Sequence, residues 1–336
     1  MDALILAAGE GTRLLPITRK RPKPLFPILN QPLLGLTLDY LNRFSLKRVI
    51  LNTHYLASQI QDFVDAQKGS LPFEIETRFE PRILNTGGGI GNTRDFWRSD
   101  PFIVINSDIL TDIDLHKAIE FHQNHKGPVT LVLHDYPEFN QIAVEGQGRI
   151  TEFRKTDGQG LAFTGIHILG REILDYLPTS GSYPIIPIYQ QMVERGRPVW
   201  AYISRGHYWR DIGTPQSYLK VHEELLSTPT PALPPPRGRV REGGTLWISL
   251  TNPPSSPFNK GGLGGILIHP EARIEKGVEF SGWACIGKGC LLKEGCRIHN
   301  SILWEDVTVE SGVSISESIL GDGVHLKNDL HSGVEI

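Results

Sequence analysis

From Ile268 onward, apolar side chains recur every six positions: Ile268, Ile274, Phe280, Ile286, Leu292 and Ile298. One residue drops out, and the count resumes at Leu303, Val309 and Ile315, followed by Leu320 and Leu326. Four positions further on in most units stands another small or apolar residue: Ala272, Val278, Ala284, Cys290, Cys296, Val307, Val313 and Val324. A fixed six-residue period with glycines at the turns marks a hexapeptide β-helix. Two inward positions per hexad stack coil upon coil into a narrow core, and about ten hexads make three to four coils. Cys290 and Cys296 fall in the small inward slot. With Cys285 they are too few for a disulfide framework, and their spacing suits no zinc pair, so reduced, packed thiols are expected. The open ends of such a stack favour pairing with another copy, hence a homo-oligomer through the β-helix.

The N-terminal two thirds follow other periods. Buried-strand patterns at 2–7, 48–53, 73–79, 101–106, 129–134, 163–169 and 199–203 alternate with helical spacing at 33–45, 55–66, 114–124, 185–195 and 215–226. That alternation predicts an α/β domain with a mostly parallel sheet over residues 1–227. Residues 228–265 are rich in Pro, Gly and Ser and read as a linker or insertion, leaving 266–336 as the β-helix. Hydrophobic residues make up 39% and charged residues 21%, with a net charge of −3. This argues against bulk nucleic-acid binding. No apolar run approaches the ~20 residues that a membrane helix needs. Asp2 stands where a secretory signal would be basic, so a cytoplasmic protein is expected.

The chemistry concentrates in the stretch Leu6–Leu25, LAAGEGTRLLPITRKRPKPL. Gly9 and Gly11 follow a strand and allow close backbone approach to a ligand. Arg13 offers a fork, and Lys23 offers a point charge stiffened between Pro22 and Pro24. Backbone donors, a fork and a point charge together suit a polyphosphate; a plain glycine turn with solvated lysines is the other reading. The dinucleotide fingerprint lacks its third glycine, and the Walker loop is absent. At least some of Arg19, Lys20 and Arg21 are expected to be solvated. Asp108 lies just beyond a buried strand, where α/β sheets bind ligands, as a metal ligand or a turn residue. Asp112 or Asp114 suits a helix cap. The run NTGGGIGNT opens a helix with three glycines, and YWRDIGTP carries Asp211, a candidate second carboxylate beside Asp108.

LAAGEGTRLLP with RPKPL, TGGGI, the strand ending at Asp108, FTGIHIL and WRDIGTP stand in the order and spacing of one family. The chain resembles the sugar-1-phosphate nucleotidyltransferases over residues 1 to about 226, and the tail resembles that of their two-domain members. The resemblance implies a Rossmann-like, mostly parallel sheet domain followed by a short left-handed parallel β-helix. It implies that a nucleoside triphosphate, GTP or UTP, and a sugar 1-phosphate give an NDP-sugar and pyrophosphate. It further implies that Gly9, Gly11, Thr12 and Arg13 cradle the triphosphate, with Arg13 and Lys23 serving catalysis. Gly87 and Gly88 would face the base, Asp108 and Asp211 would hold Mg²⁺, Thr164 and Gly165 would lie along the sugar, and Glu152 and Lys155 would serve the sugar phosphate.

The chain departs from the family at Ser107, where glycine is usual, at Arg154, where glutamate is usual, and at Asn140-Gln141, where Tyr-Gly is usual. The last two bear on sugar identity more than on reaction type. TGGGI and INSDILTD resemble the N-acetylmuramate-1-phosphate uridylyltransferase branch, whereas the tail resembles mannose-1-phosphate guanylyltransferases. Two other readings stay open. One is a catalytically inactive regulatory paralogue, against which Arg13, Lys23, Asp108 and Asp211 all speak. The other is a hexapeptide acyltransferase using His269, His299, His325 or His331 as base.

Overall fold

A computed structural model describes residues 1–154, 160–227 and 265–336. Lys155 and the 228–264 stretch lie outside the described residues. Along the chain come β1 (Asp2–Leu6), the short strands β2 (Pro27–Ile28) and β3 (Gln31–Pro32), α1 (Leu33–Leu41), β4 (Arg48–Thr53), α2 (Ala57–Gln67) and β5 (Glu74–Phe79). Then follow α3 (Asn85–Gly91), β6 (Phe102–Asn106), β7 (Ile109–Thr111), α4 (Leu115–Gln123), β8 (Val129–His134), β9 (Ile142–Glu145), β10 (Arg149–Phe153) and β11 (Ala162–Leu169). α5 (Ile186–Glu194), β12 (Trp200–Ser204), β13 (Trp209–Asp211) and α6 (Pro215–Ser227) complete the series. The chain forms two compact units, residues 1–10 with 36–211, and residues 11–35 with 212–336.

The first unit is built on a nine-stranded sheet of order β5-β4-β1-β6-β11-β8-β12-β10-β9. Among its strands only β11 and β10 run against the rest, so the sheet is mostly parallel, as the alternation predicts. Ala3, Leu4 and Ile5 of β1 are fully buried, as are Phe102, Ile103 and Val104 of β6. Central parallel strands are covered on both faces and so read as continuous apolar runs. The edge strand β5 alternates, Ile75 buried between exposed Glu74 and Glu76. The direction of β11 was not legible, because an apolar run buried on both faces looks the same either way. A separate two-stranded sheet pairs β7 with β13 in antiparallel register, Asp211 opposite Ile109.

The second unit contains the predicted parallel coils. Leu267 pairs with Cys285, eighteen residues on, which is three hexads per coil. The shortening after Ile298 appears as a seventeen-residue coil, Ile298 to Ile315, and the last coil takes fifteen, Ile315 to Leu330. Val278, Ala284, Ile286, Cys290, Leu292, Cys296, Ile298, Leu303, Val307, Val309, Val313, Ile315, Leu320, Val324 and Leu326 form one interior cluster. The hexad positions named from the sequence are thus the core positions, except that Ile268, Ala272, Ile274 and Phe280 are partly buried and pack against the cluster. All three cysteines are buried and unpaired. Burial pushes the Cys285 and Cys290 thiols up to about 12.

Cys285 belongs to a different surface. It lies on the outside of the coils, where residues 11–35 and α6 cover it, and its Sγ donates to Asn30 Oδ1 at 3.2 Å. Asn30 Nδ2 donates to the Ile286 carbonyl at 3.0 Å. The Phe26 ring meets the edge of Trp304 at 4.8 Å, and Trp304 Nε1 donates to the Tyr218 hydroxyl at 3.0 Å. Arg21 reaches Asp322 at 2.8 Å and Glu305 at 3.4 Å, with its guanidinium 5.1 Å from the Trp304 ring centre. The Arg21 and Asp322 side chains are 17% and 30% exposed. A pair so placed contributes on the order of 1 kcal/mol or less, so its main effect is on direction rather than stability.

Candidate active site

In the first unit, β7 and β13 bring distant residues of the sequence together. Asp108 directly precedes β7, and Asp211 ends β13 opposite Ile109, so the two carboxylate residues occupy neighbouring rungs. Both are partly buried. The register is clamped at its far end. Asp112 Oδ1 accepts from the Tyr208 amide at 2.7 Å, the Asp112 amide donates to the Tyr208 carbonyl at 3.2 Å, and the Thr111 hydroxyl donates to the same carbonyl at 2.8 Å. Asp112 is therefore a clamp rather than a cap, while Asp114 caps α4 by accepting from the His116 amide at 3.0 Å. Ser107 fits without strain, its hydroxyl donating to the Leu6 carbonyl at 2.7 Å.

Behind the end of β1 runs a buried polar chain. Asn52 Oδ1 accepts from the Ala7 amide and its Nδ2 donates to Glu80 Oε1, both at 2.8 Å. Glu80, fully buried, accepts the Leu84 amide through Oε2 at 3.0 Å. The chain ties the end of β1 to the start of α3. Isolated buried polar residues add nothing to a periodic pattern, and the sequence reading passed over both.

Gly9 is exposed, and among the described residues nothing lies within 4 Å of where its Cβ would be. Gly87 and Gly88 differ. Their amides donate to the Tyr183 carbonyl at 3.0 and 3.1 Å. A Cβ on Gly87 would come within 2.6 Å of the Tyr183 ring, and one on Gly88 within 2.6 Å of the Gly181 carbonyl oxygen. On the side where a Cβ would stand, the close approach that these glycines permit is made by the protein's own chain. Thr164 is fully buried, and its hydroxyl donates to the Val132 carbonyl at 2.7 Å. Gly165 has φ +80° at a slip in the β11–β8 register and packs against Asn106, the last residue of β6. Glu152 is exposed in β10. Asn140 closes a tight turn, accepting from the Tyr136 amide at 2.9 Å and donating to Asp135 at 2.8 Å.

In the second unit, Gly11 through Leu25 form three short 3-10 turns, Thr12–Leu14, Ile17–Arg19 and Lys23–Leu25. Gly11 has φ +65°, and a Cβ there would lie 2.9 Å from Thr18 Cγ2 and 3.5 Å from Lys23 Cβ. Thr18 donates to the Gly11 carbonyl at 3.3 Å. Gly11, Thr18 and the stem of Lys23 thus form one packed knot. Lys23 is 8% exposed, while Thr12 and Arg13 are exposed. Arg19 and Lys20 are exposed, Lys20 Nζ donating to the Asp322 carbonyl at 3.5 Å, and Arg21 is engaged as described above. The histidines considered for acyl transfer lie on the outside of the coils. His299 faces the Ser281 hydroxyl at 3.0 Å, His331 faces Ser316 at 2.7 Å, His325 pairs with Glu310, and His269 accepts the Glu271 amide.

Comparison with known proteins accords with these features. The nucleotidyl transferase family model matches residues 2–228, and that of the GMPPB C-terminal domain matches residues 263–332. A UTP–glucose-1-phosphate uridylyltransferase of Synechocystis is 28% identical, covering 95% of this chain and 87% of that one. A mannose-1-phosphate guanylyltransferase of Mycobacterium tuberculosis is 28% identical, covering 94% and 83%. The crystal structure of HddC from Yersinia pseudotuberculosis superposes with a TM-score of 0.57 at 26% identity, covering 67% of this chain and 99% of that one. HddC has also been solved in complex with GMP-PN. The chain belongs to the nucleotidyl transferase family. Within it, the chain is a sugar-1-phosphate nucleotidyltransferase of guanylyl or uridylyl type. Among the described residues no helix is long and apolar enough to cross a membrane.

Proposed function

We propose that the preferred reaction joins GTP to mannose 1-phosphate, releasing pyrophosphate, with UTP and glucose 1-phosphate as the second reading. The guanylyltransferase relatives and the C-terminal match support the first pair, and the Synechocystis relative supports the second. The observation that most supports phosphoryl chemistry at this site is the pairing of β7 with β13, which sets Asp108 and Asp211 on neighbouring rungs.

Two carboxylates fit Mg²⁺, which takes one or two protein carboxylates and fills its remaining positions with water and substrate phosphate. Among the described residues no larger group of His, Cys, Asp or Glu gathers as a metal site. When bound, the metal would neutralise charge on the phosphates in reaction. Asp108 and Asp211 would hold it. Gly9, Gly11 and Thr12 would offer close approach to the triphosphate, with Arg13 as a fork on its phosphates. Lys23 would supply a fixed charge at the α-phosphate. Gly87 and Gly88 are proposed beside the base, and Thr164, Gly165, Glu152 and Lys155 on the sugar-phosphate side. An oxygen of the sugar phosphate attacks the α-phosphorus, and pyrophosphate leaves in line. That oxygen is already deprotonated at neutral pH, so the protein supplies alignment and charge, not a base.

We propose residues 1–227 as the catalytic domain, 228–265 as a linker or insertion and 266–336 as the β-helix. The cytoplasm is the proposed compartment, and self-association through the coils the proposed assembly. A matrix of nucleoside triphosphates against sugar 1-phosphates, read by pyrophosphate release, tests the function. Turnover with GTP and mannose 1-phosphate above the other pairs is expected. Silence with every pair would leave a non-catalytic binding protein.

A further inference from the structure

Lys23 and Arg13 lie in the unit that also contains the β-helix, and their segment is fastened to the outside of the coils. Two anchors flank Lys23. Two residues before it, Arg21 binds Asp322 at 2.8 Å and Glu305 at 3.4 Å, over the Trp304 ring. Three residues after it, Phe26 packs on the edge of the same indole at 4.8 Å. Between the anchors the backbone is stiff. The Leu25 amide donates to the Pro22 carbonyl at 2.9 Å, and the Phe26 amide to the Lys23 carbonyl at 3.0 Å. Trp304 is itself held, donating to the Tyr218 hydroxyl, which donates to the Pro27 carbonyl. The acids are fixed on one corner of the stack, the Glu305 amide donating to Asp322 Oδ1 at 3.1 Å.

We propose that the β-helix sets the position of Lys23, with Arg21, Asp322 and Trp304 as positioning residues for the transfer step. This rests on the reading of Lys23 as the cation at the α-phosphate. A partly buried acid on a solvent-facing corner is not what a solubilising surface selects. Burial raises the Asp322 carboxyl, and the neighbouring Arg21 offsets part of that rise. The corner therefore carries a desolvation cost, and what it holds is the arginine two residues from Lys23. The β-helix then serves catalysis without touching either substrate, because an ångström-scale displacement of a charge-stabilising group lowers turnover steeply.

The test is a double-mutant cycle in the full-length chain. Pyrophosphate release is measured at saturating substrates for Arg21→Ala, Asp322→Asn, Lys23→Ala and the double variant Arg21→Ala/Lys23→Ala. Circular dichroism and thermal melting run in parallel. Arg21→Ala and Asp322→Asn are expected to lower kcat about tenfold with the fold intact. Arg21→Ala should cost nothing further once Lys23 is gone, since a positioning residue loses its purpose with the group it positions. A merely structural role would cost the same factor in both backgrounds. That result, or wild-type turnover in Arg21→Ala, overturns the proposal. Wild-type turnover in Lys23→Ala would remove the reading of Lys23 itself, and the proposal with it.

Discussion

Glycine is demanded at position 11 by two separate constraints, a left-handed backbone and the methyl of Thr18 at 2.9 Å, and at position 9 by neither. An alanine at 11 forces a left-handed residue, costing about 1–2 kcal/mol before the clash is counted. An alanine at 9 meets open space. Gly9→Ala is therefore expected to melt within a degree or two of wild type. It should still raise KM for the nucleotide about tenfold if the open space admits phosphate, which steady-state kinetics beside a melting curve will check. Arg13→Ala, Lys23→Ala and Asp108→Asn are each expected to lower turnover about 10²-fold, the scale of removing one charge-stabilising group. Pyrophosphate release from the three variants measures this directly, and near wild-type rates in all would dismantle the assignment. At this scale the sequence was readable wherever a residue type announces its chemistry, as with a lysine between prolines or an acid beyond a strand. It was unreadable where the same residue type has two uses. Gly87 reads like a ligand contact and also accommodates Tyr183, and Arg21 looks like one more solvated cation but binds Asp322.

The elements that matter most to the site are among the shortest. β7 and β13 have three residues each, too few to show a period, and their pairing is fixed from outside by Asp112 and Thr111 gripping Tyr208. Asp112→Ala leaves the Tyr208 amide without that acceptor. It is expected to speed hydrogen exchange across residues 208–211 and to lower turnover about tenfold, through the placement of Asp211. Unchanged exchange in that peptide would show the clamp to be dispensable. The long elements behaved otherwise. β1, β4, β6 and β8 were legible because burial on both faces leaves a continuous apolar run, and the coils were legible because each hexad repeats the same two inward slots. The antiparallel insertion of β11 and the β9–β10 pair were not, since periodicity reports burial and is silent on direction.

For the molecule as a whole, buried and half-buried neutral histidines make stability fall with acid. Burial lowers His122 to about 4, with neighbouring His125 adding to the shift, and lowers His125 and His222 to about 4 and His167 to about 3. Their ordinary value is 6.5. The unfolded chain thus binds more protons than the folded one once pH falls below that value, and stability declines as pH drops. The melting temperature is expected to be flat just above pH 6.5 and to fall progressively from 6.5 to 4, mostly ahead of the carboxylate range. A scan flat down to pH 4 would contradict the burial of these rings.

The fastening of residues 11–35 to the outer face of the coils also bears on how such chains are inherited. Two relatives that recombined at residue 228 would exchange their β-helices but keep their own N-terminal halves. The progeny would then seat one parent's Arg21 and Phe26 on the other parent's equivalents of Asp322 and Trp304. Each half could be sound and the hybrid still slow. The stretch 11–35 and the coils make up one heritable module written in two places, and a substitution in either is felt first by its counterpart some three hundred residues away.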